Sequence, residues 1–220
     1  KSIIADLPEK NTIDQFVSMR PEQAALYQKT LDALLKKVEK AEREEKAAKA
    51  AGEAPSAEIR MARRGAVLKL ISALKQICNS PSQYEKQPAP KPDSGKGDAL
   101  LEILKECREA GRKALVFTQY REMGERLQDW IERATGERPD FLHGGVTAKG
   151  RAAMVDRFQQ DRTAGVMLIS LKAGGVGLNL TAASVVIHYD LWWNPAVEAQ
   201  ATDRAYRIGQ RRDVAVYRFI

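Results

Sequence analysis

Two arginines three residues apart carry the clearest chemistry in this chain. They stand in the run Gln200-Ala201-Thr202-Asp203-Arg204-Ala205-Tyr206-Arg207-Ile208-Gly209-Gln210. On a helix, Gln200, Asp203, Arg204 and Arg207 share one broad face, and arginines so spaced reach a single phosphate group, as an arginine finger must. For the charges alone, a solvated helix is the alternative. A second run, Ala173-Gly174-Gly175-Val176-Gly177, places three glycines in four residues. Such a loop adopts backbone conformations closed to other residues and lets N–H groups approach an anion. A tight turn is the alternative there. The phosphate-cradling pattern Gly-x4-Gly-Lys-Ser/Thr is absent. Gly95-Lys96 lacks the upstream glycine and follows no strand, so it does not read as a nucleotide cradle. Ile187-His188-Tyr189-Asp190 ends in a carboxylate, like a magnesium-binding strand, but without a P-loop that carboxylate reads as structural.

These residues need elements to hold them. Short apolar runs at Ala114–Thr118, Phe141–Leu142, Val166–Ser170 and Val185–Tyr189 suit strands buried on both faces, and Val214–Phe219 closes the chain as another. Between them, helical spacing links Leu100, Leu104 and Cys107, then Met123, Leu127 and Trp130, then Met154, Val155 and Phe158. A helix over Ala196–Tyr206 follows Pro195. Such alternation implies a mostly parallel sheet covered by helices. In open sheets of this kind ligands bind beyond the carboxyl ends of the strands. At those ends stand Thr118-Gln119, His143-Gly144, Ser170-Leu171-Lys172 with the glycine loop, and Asp190-Leu191-Trp192-Trp193.

The amino-terminal part differs. Thr12–Val17 alternates with period two and suits a strand, and Ser18 is a candidate cap for a helix opening at Pro21. Residues 21–79 read as a helical hairpin turning at Gly52–Ser56. Its Lys36–Ala51 stretch, with Glu42–Lys46 and Glu45–Lys49 pairs, has little apolar face and should protrude into solvent. Residues 80–97 hold Pro81, Pro88, Pro90 and Pro92, a density that predicts a linker with no helix. The expected organisation is an opening strand at 1–20, a helical protrusion at 21–80, a linker at 81–97 and the α/β lobe at 98–220.

Composition bounds the function. The chain has 220 residues, Lys+Arg 36 against Asp+Glu 29, a net charge of +7 and a pI near 9.4. That excess suggests an anionic partner, nucleic acid foremost. Two histidines and two cysteines without a CxxC leave no zinc module, and the thiols read as core residues of a reducing compartment. No apolar run approaches the ~20 residues that span a bilayer, and Lys1–Lys10 does not read as a signal peptide. No membrane is therefore expected as a partner.

The motifs, taken in order, resemble those of the Swi/Snf-type DNA translocases of helicase superfamily two. The resemblance rests on Gln76–Pro81, Leu115–Tyr120, Leu142–Val146 with Arg151 and Asp156–Phe158, Ser170–Thr181, Asp190–Pro195 and Gln200–Gln210. The Trp192-Trp193-Asn194-Pro195 loop separates it from DEAD-box RNA helicases. The resemblance implies a RecA-like parallel sheet flanked by helices, with an N-terminal helical hairpin insertion. It implies one of two motor lobes, the C-terminal one, with ATP and Mg2+ held mainly by a first lobe that carries the P-loop. Alone the chain is then expected to be inactive; within a full-length protein it would serve a DNA-dependent ATPase.

By the same resemblance Arg204 and Arg207 are the catalytic pair. Gln200, Asp203, Gly175 and Gly177 would lie at the ATP interface, and Thr118, Gln119, His143, Gly144, Ser170, Lys172 and Trp193 would face DNA. The implied partners are double-stranded DNA, the first lobe of the same polypeptide and a DNA-bound protein complex. The wording Phe141–Val146 is closer to bacterial members, implying the cytoplasmic nucleoid; a eukaryotic member would be nuclear. A non-catalytic nucleic-acid-binding lobe and a DEAD-box-like RNA helicase lobe are the alternatives.

Overall fold

The computed structural model describes residues 7–163, 165–171 and 178–220. The chain divides into two compact units, Met19–Pro88 and a larger one of Lys1–Ser18 with Ala89–Ile220. Among the described residues no helix is long and apolar enough to cross a membrane.

The smaller unit is a helical hairpin of α1 (Pro21–Ala50) and α2 (Ala57–Asn79), followed by the short α3 (Pro81–Glu85). Helix α1 opens at Pro21 as expected but is capped at Arg20 rather than Ser18: Gln23 Oε1 accepts from the Arg20 N–H at 3.2 Å. Ser56 caps α2, accepting from Ile59 N at 3.2 Å. The Lys36–Ala51 stretch does not simply protrude. Val38, Ala41 and Glu45 are buried at helical spacing, and α1 packs along α2. Glu45 stays ionised there because Lys49 at 2.9 Å and Arg63 at 3.0 Å hold its carboxyl below the usual range. Glu42 reaches Arg63 at 3.6 Å. At the base, Gln23 Nε2 donates to the Ile77 and Cys78 carbonyls.

The larger unit is a six-stranded sheet with every neighbouring pair parallel. Its strands are β1 (Lys10–Gln15), β2 (Lys113–Thr118), β3 (Asp140–Leu142), β4 (Val166–Ser170), β5 (Ala183–His188) and β6 (Val214–Phe219). Their order is β1-β6-β5-β2-β4-β3, so β2 lies between β4 and β5. Helices α4 (Gly95–Glu109), α5 (Arg121–Thr135), α6 (Ala148–Gln160) and α7 (Pro195–Thr202) complete it.

Alternation along the strands sorts the core into two layers. Ala114 and Val116 of β2 pack with Leu100, Leu104, Met123, Leu127, Trp130 and Ile131 of α4 and α5. Leu115 and Phe117 of the same strand face the other side, with Phe158 of α6 and Ala201 of α7. A strand buried on both faces cannot alternate apolar and polar, which is why these segments read as continuous apolar runs. Each fully buried Leu, Ile or Phe contributes about 1.5–3 kcal/mol.

The proline-dense segment is more ordered than its composition predicts. Pro81 sits in the first turn of α3, where its missing N–H costs nothing, and α4 opens at Gly95 with Ser94 Oγ accepting from Gly97 N at 3.1 Å. A Cβ at Gly95 would stand 2.0 Å from the Ser18 carbonyl oxygen, so the chain passes here only without a side chain. Lys96 donates to the carbonyls of Phe219 at 3.0 Å and Tyr189 at 3.4 Å. It fastens strand ends rather than a nucleotide.

Candidate functional site

Because all six strands are parallel, the loops after β2, β3, β4 and β5 emerge on one edge of the sheet. The loop after β2 is fixed by Asp190. Thr118 is fully buried and its hydroxyl donates to Asp190 Oδ2 at 2.5 Å, while the Gln119 N–H donates to Oδ1 at 2.8 Å. Both carboxylate oxygens are thereby engaged, which matches a structural role for this residue. Gln119 Nε2 reaches the Leu191 carbonyl at 3.4 Å, tying the loops after β2 and β5 together.

After β3, His143 is half-buried and Gly144 exposed. The His143 ring packs near Phe141, and its Nδ1 accepts from Gly145 N at 3.1 Å. Ser170 closes β4 and is buried. Lys172, Gly175 and Gly177 lie outside the described residues. After β5, Trp193 is 65% exposed. Its loop is anchored by Glu198, a buried α7 carboxylate that accepts from Trp192 N at 2.8 Å and from Arg218 Nε at 3.2 Å. Asn194 caps α7 by accepting from Ala196 N at 3.0 Å.

The arginine run is not one helical face. Helix α7 ends at Thr202, and Asp203, Arg204 and Ala205 form a turn. Two tethers stop the helix. Thr202 Oγ1 lies 3.0 Å from His188 Nε2 on β5, and the Arg204 carbonyl is taken by Leu180 N at 2.9 Å. The two arginines consequently differ. Arg204 is 8% exposed, with its guanidinium 5.9 Å from the centroid of the Phe117 ring at the end of β2. Arg207 is exposed, as are Gln200 and Asp203.

Burial first, and then the charge of Arg151 on α6, depresses the pKa of Arg204. Arg151 thus acts on Arg204 through its charge, and the Nε of Arg151 is buried without a hydrogen-bond partner. Like charges in a partly buried site disfavour each other, and a phosphate-like anion bound there would relieve that cost. The donor set thus fits a phosphoryl group. Among the described residues no group of three His, Cys, Asp or Glu could hold a metal ion.

Sequence reasoning gave no role to three residues that bear on this site. Glu198 holds the tryptophan loop, and Arg151 is the second cation. Gln210 donates from Nε2 to Ala183 O at 2.8 Å and Ala205 O at 2.9 Å, and its Oε1 accepts from Arg211 N and Arg212 N. It locks the turn carrying both candidate arginines to the start of β5. Gln210 closes the arginine motif and Arg151 lies in a quoted motif, so both were in view, but spacing alone says nothing about what a side chain reaches across the fold.

The helicase conserved C-terminal domain family matches residues 95–209. Among curated proteins, YwqA of Bacillus subtilis, whose name places it with ATP-dependent helicases/translocases, is 38% identical over 100% of this chain and 22% of its own length. The DNA excision repair protein CSB of Oryza sativa subsp. japonica is 33% identical over 98% of this chain and 17% of its own. The chain spans about a fifth of the length of the curated relatives it matches. Among solved structures, the Sulfolobus solfataricus SWI2/SNF2 ATPase C-terminal domain is 30% identical with a TM-score of 0.75, covering 96% of this chain and 79% of that one. The ATPase core of the same organism in complex with double-stranded DNA is 33% identical with a TM-score of 0.79, covering 99% of this chain and 42% of that one.

Proposed function

The chain belongs to the helicase conserved C-terminal domain family, as a C-terminal lobe of the Swi2/Snf2 type, and on that premise we propose that it is the second motor lobe of an ATP-dependent double-stranded DNA translocase. The observation that carries the reading is buried Arg204, its guanidinium 5.9 Å from the centroid of the Phe117 ring at the carboxyl edge, with Arg207 exposed three residues on. These are cations positioned for an anion that the chain itself has no P-loop to bind.

ATP, when bound, supplies the phosphoryl group whose cleavage drives movement. A first lobe would bring its P-loop and, with the nucleotide, hold Mg2+. Arg207 would reach across from the exposed turn to stabilise charge developing on the γ-phosphoryl, while Arg204 anchors the turn and contributes from within. Gln200 and Asp203, both exposed, would line the facing surface of the lobe, and Gly175 and Gly177 would shape the loop that joins ATP state to DNA grip. Gln119, His143, Gly144, Lys172 and Trp193 would meet the DNA backbone. Thr118 and Ser170, both buried, would set the positions of those loops. Backbone contacts carry no sequence information, as movement along any duplex requires. The relative solved with double-stranded DNA supports DNA over RNA as the track. A DNA-bound protein complex would be the further partner. The site of action would be the bacterial nucleoid, or the nucleus in a eukaryote.

The test is DNA-stimulated ATP turnover of the full-length protein carrying Arg207→Ala. The expected result is a loss of at least ~10³-fold in kcat. Wild-type turnover would overturn the arginine's role and favour a non-catalytic nucleic-acid-binding lobe. Efficient separation of duplex RNA would overturn the choice of track.

A further inference from the structure

The opposite edge of the sheet holds a cavity of about 1050 Å³, at the upper end of ligand-site sizes. It is lined by residues at the entrances of five adjacent strands: Lys113 of β2, Asp140 of β3, Val166 of β4, Ala182 before β5 and Arg212 before β6. Five strands side by side extend it to roughly 19 Å. Its charged lining lies about a strand length from the loops of the carboxyl edge, and Gln210, which holds the arginine-bearing turn, is shared by the two sites.

Its charge is lopsided. Eight cationic side chains line it, against the carboxylates of Glu137, Asp140 and Asp161. Arg138 is neutralised by Asp129 at 2.7 Å and Glu132 at 2.6 Å, and Arg157 faces Asp140 at 3.4 Å. The remaining six are Arg108, Arg112, Lys113, Arg162, Arg211 and Arg212. Arg108 donates to Thr135 O, Arg212 to Gly111 O, and Lys113 to Phe158 O and Asp161 O. Arg112 donates to Ser184 and to the Asp213 carbonyl. Such bonds satisfy the donors without cancelling the charge. Part of the excess serves the fold, since α4, α5 and α6 all end at this edge and each helix terminus presents about half a negative charge. Even so, roughly two to three positive charges remain uncompensated. Arg162 and Arg211 are exposed and, among the described residues, neither is in an ion pair.

The lining also selects the ligand. Leu104, Cys107, Ile131 and Phe158 contribute to the cavity but are buried beneath its surface. A peptide would find no apolar pocket for anchoring side chains, and a single strand would find no exposed aromatic on which to stack bases. What faces outward is guanidinium, whose planar fork matches phosphate oxygens.

We propose that this amino edge is a second phosphate-binding face of the lobe, which takes the sugar-phosphate backbone of a duplex lying along the row of strand entrances. The face reads phosphates alone and is sequence-independent.

The test is fluorescence anisotropy of the 220-residue chain with a labelled 20-base-pair duplex from 50 to 200 mM salt. The variant is Arg162→Glu with Arg211→Glu. Arg60→Glu with Arg64→Glu, both exposed on α2, makes the same charge change elsewhere. The expected result is an affinity at least ~10-fold below that of the charge-matched control, and a salt slope reduced by about two. Equal affinities for the two variants would overturn the proposal. Inorganic tripolyphosphate and a glutamate-rich peptide serve as competitors. If tripolyphosphate outcompetes the duplex on wild type but not on the variant, the phosphate chemistry stands, with a free polyphosphate as its source. If the peptide outcompetes both, the proposal fails. Circular dichroism checks folding, and Arg162→Gln with Arg211→Gln replaces the reversal should it fail to fold.

Discussion

His188 shows how one side chain at the end of β5 ties the site to the core. It is 1% exposed, its ring stacks on Phe117 with centroids 5.5 Å apart, and its Nε2 meets Thr202 where α7 stops. Burial, and after it the charge of Arg218, pushes its pKa from 6.5 down to about 4. Between those values the unfolded chain binds a proton that the folded chain refuses. Stability therefore falls as pH drops through that window, by up to about 3 kcal/mol, and the loss is complete below pH 4. Urea titrations at pH 7 and pH 5 check this. Wild type should lose about 2 kcal/mol more than His188→Gln between the two conditions; equal losses would exclude His188 as the cause. Phe117 thus carries His188 on one contact and the Arg204 guanidinium on another, so the neutral histidine avoids placing a further cation near the arginine pair.

At the scale of elements, the position of the loop after β3 depends on how closely α5 approaches the sheet. Gly124 lies against the Phe141 ring, and a Cβ there would stand 2.1 Å from a ring carbon. Gly124→Ala should lower stability by about 1–3 kcal/mol through overpacking. Thermal unfolding is the measurement, and Gly124→Ala combined with Phe141→Leu should recover part of the loss because the smaller side chain makes room. A single substitution with unchanged Tm would show that helix and ring separate freely. The end of α7 is likewise set by contacts between elements, His188 to Thr202 and Leu180 to Arg204, so the turn bearing the arginines is held by β5 and the segment before it.

For the whole molecule, the two edges of one parallel sheet carry different sets of residues. The carboxyl edge gathers the family motifs, and the amino edge gathers arginines from strand entrances and helix ends. The net charge of +7 is thus unevenly spent: some faces the proposed nucleotide, some pairs within the hairpin, and some collects around the amino-edge cavity. The chain matches about a fifth of its curated relatives' length, and the proposed two-lobe arrangement predicts a difference at this scale. The isolated chain should hydrolyse ATP at background rates, whereas the full-length protein should show turnover stimulated by duplex DNA. A coupled phosphate-release assay on both distinguishes them, and robust hydrolysis by the isolated chain would overturn the two-lobe arrangement.

The sequence alone determined the parallel α/β lobe, its strands and the family, because doubly buried strands leave continuous apolar runs and backbone-shaping motifs survive as fixed local wording. It also showed that no P-loop is present. Local periodicity failed where distant parts of the chain override it. The helical face predicted for Gln200–Arg207 breaks at Thr202, where the Thr202 hydroxyl meets His188 and the Arg204 carbonyl is taken by Leu180 N. The proline-dense segment holds helix because Pro81 falls in a first turn and Gly95 fits against Ser18. The Lys/Glu/Ala stretch buries Glu45 because Arg63 arrives from α2. Only the tertiary structure set Arg204 inward near Phe117 and left Arg207 exposed, and only it drew arginines from four strand entrances into one cavity. Residue spacing specifies which side chains share an element; which charges meet across elements is decided by packing.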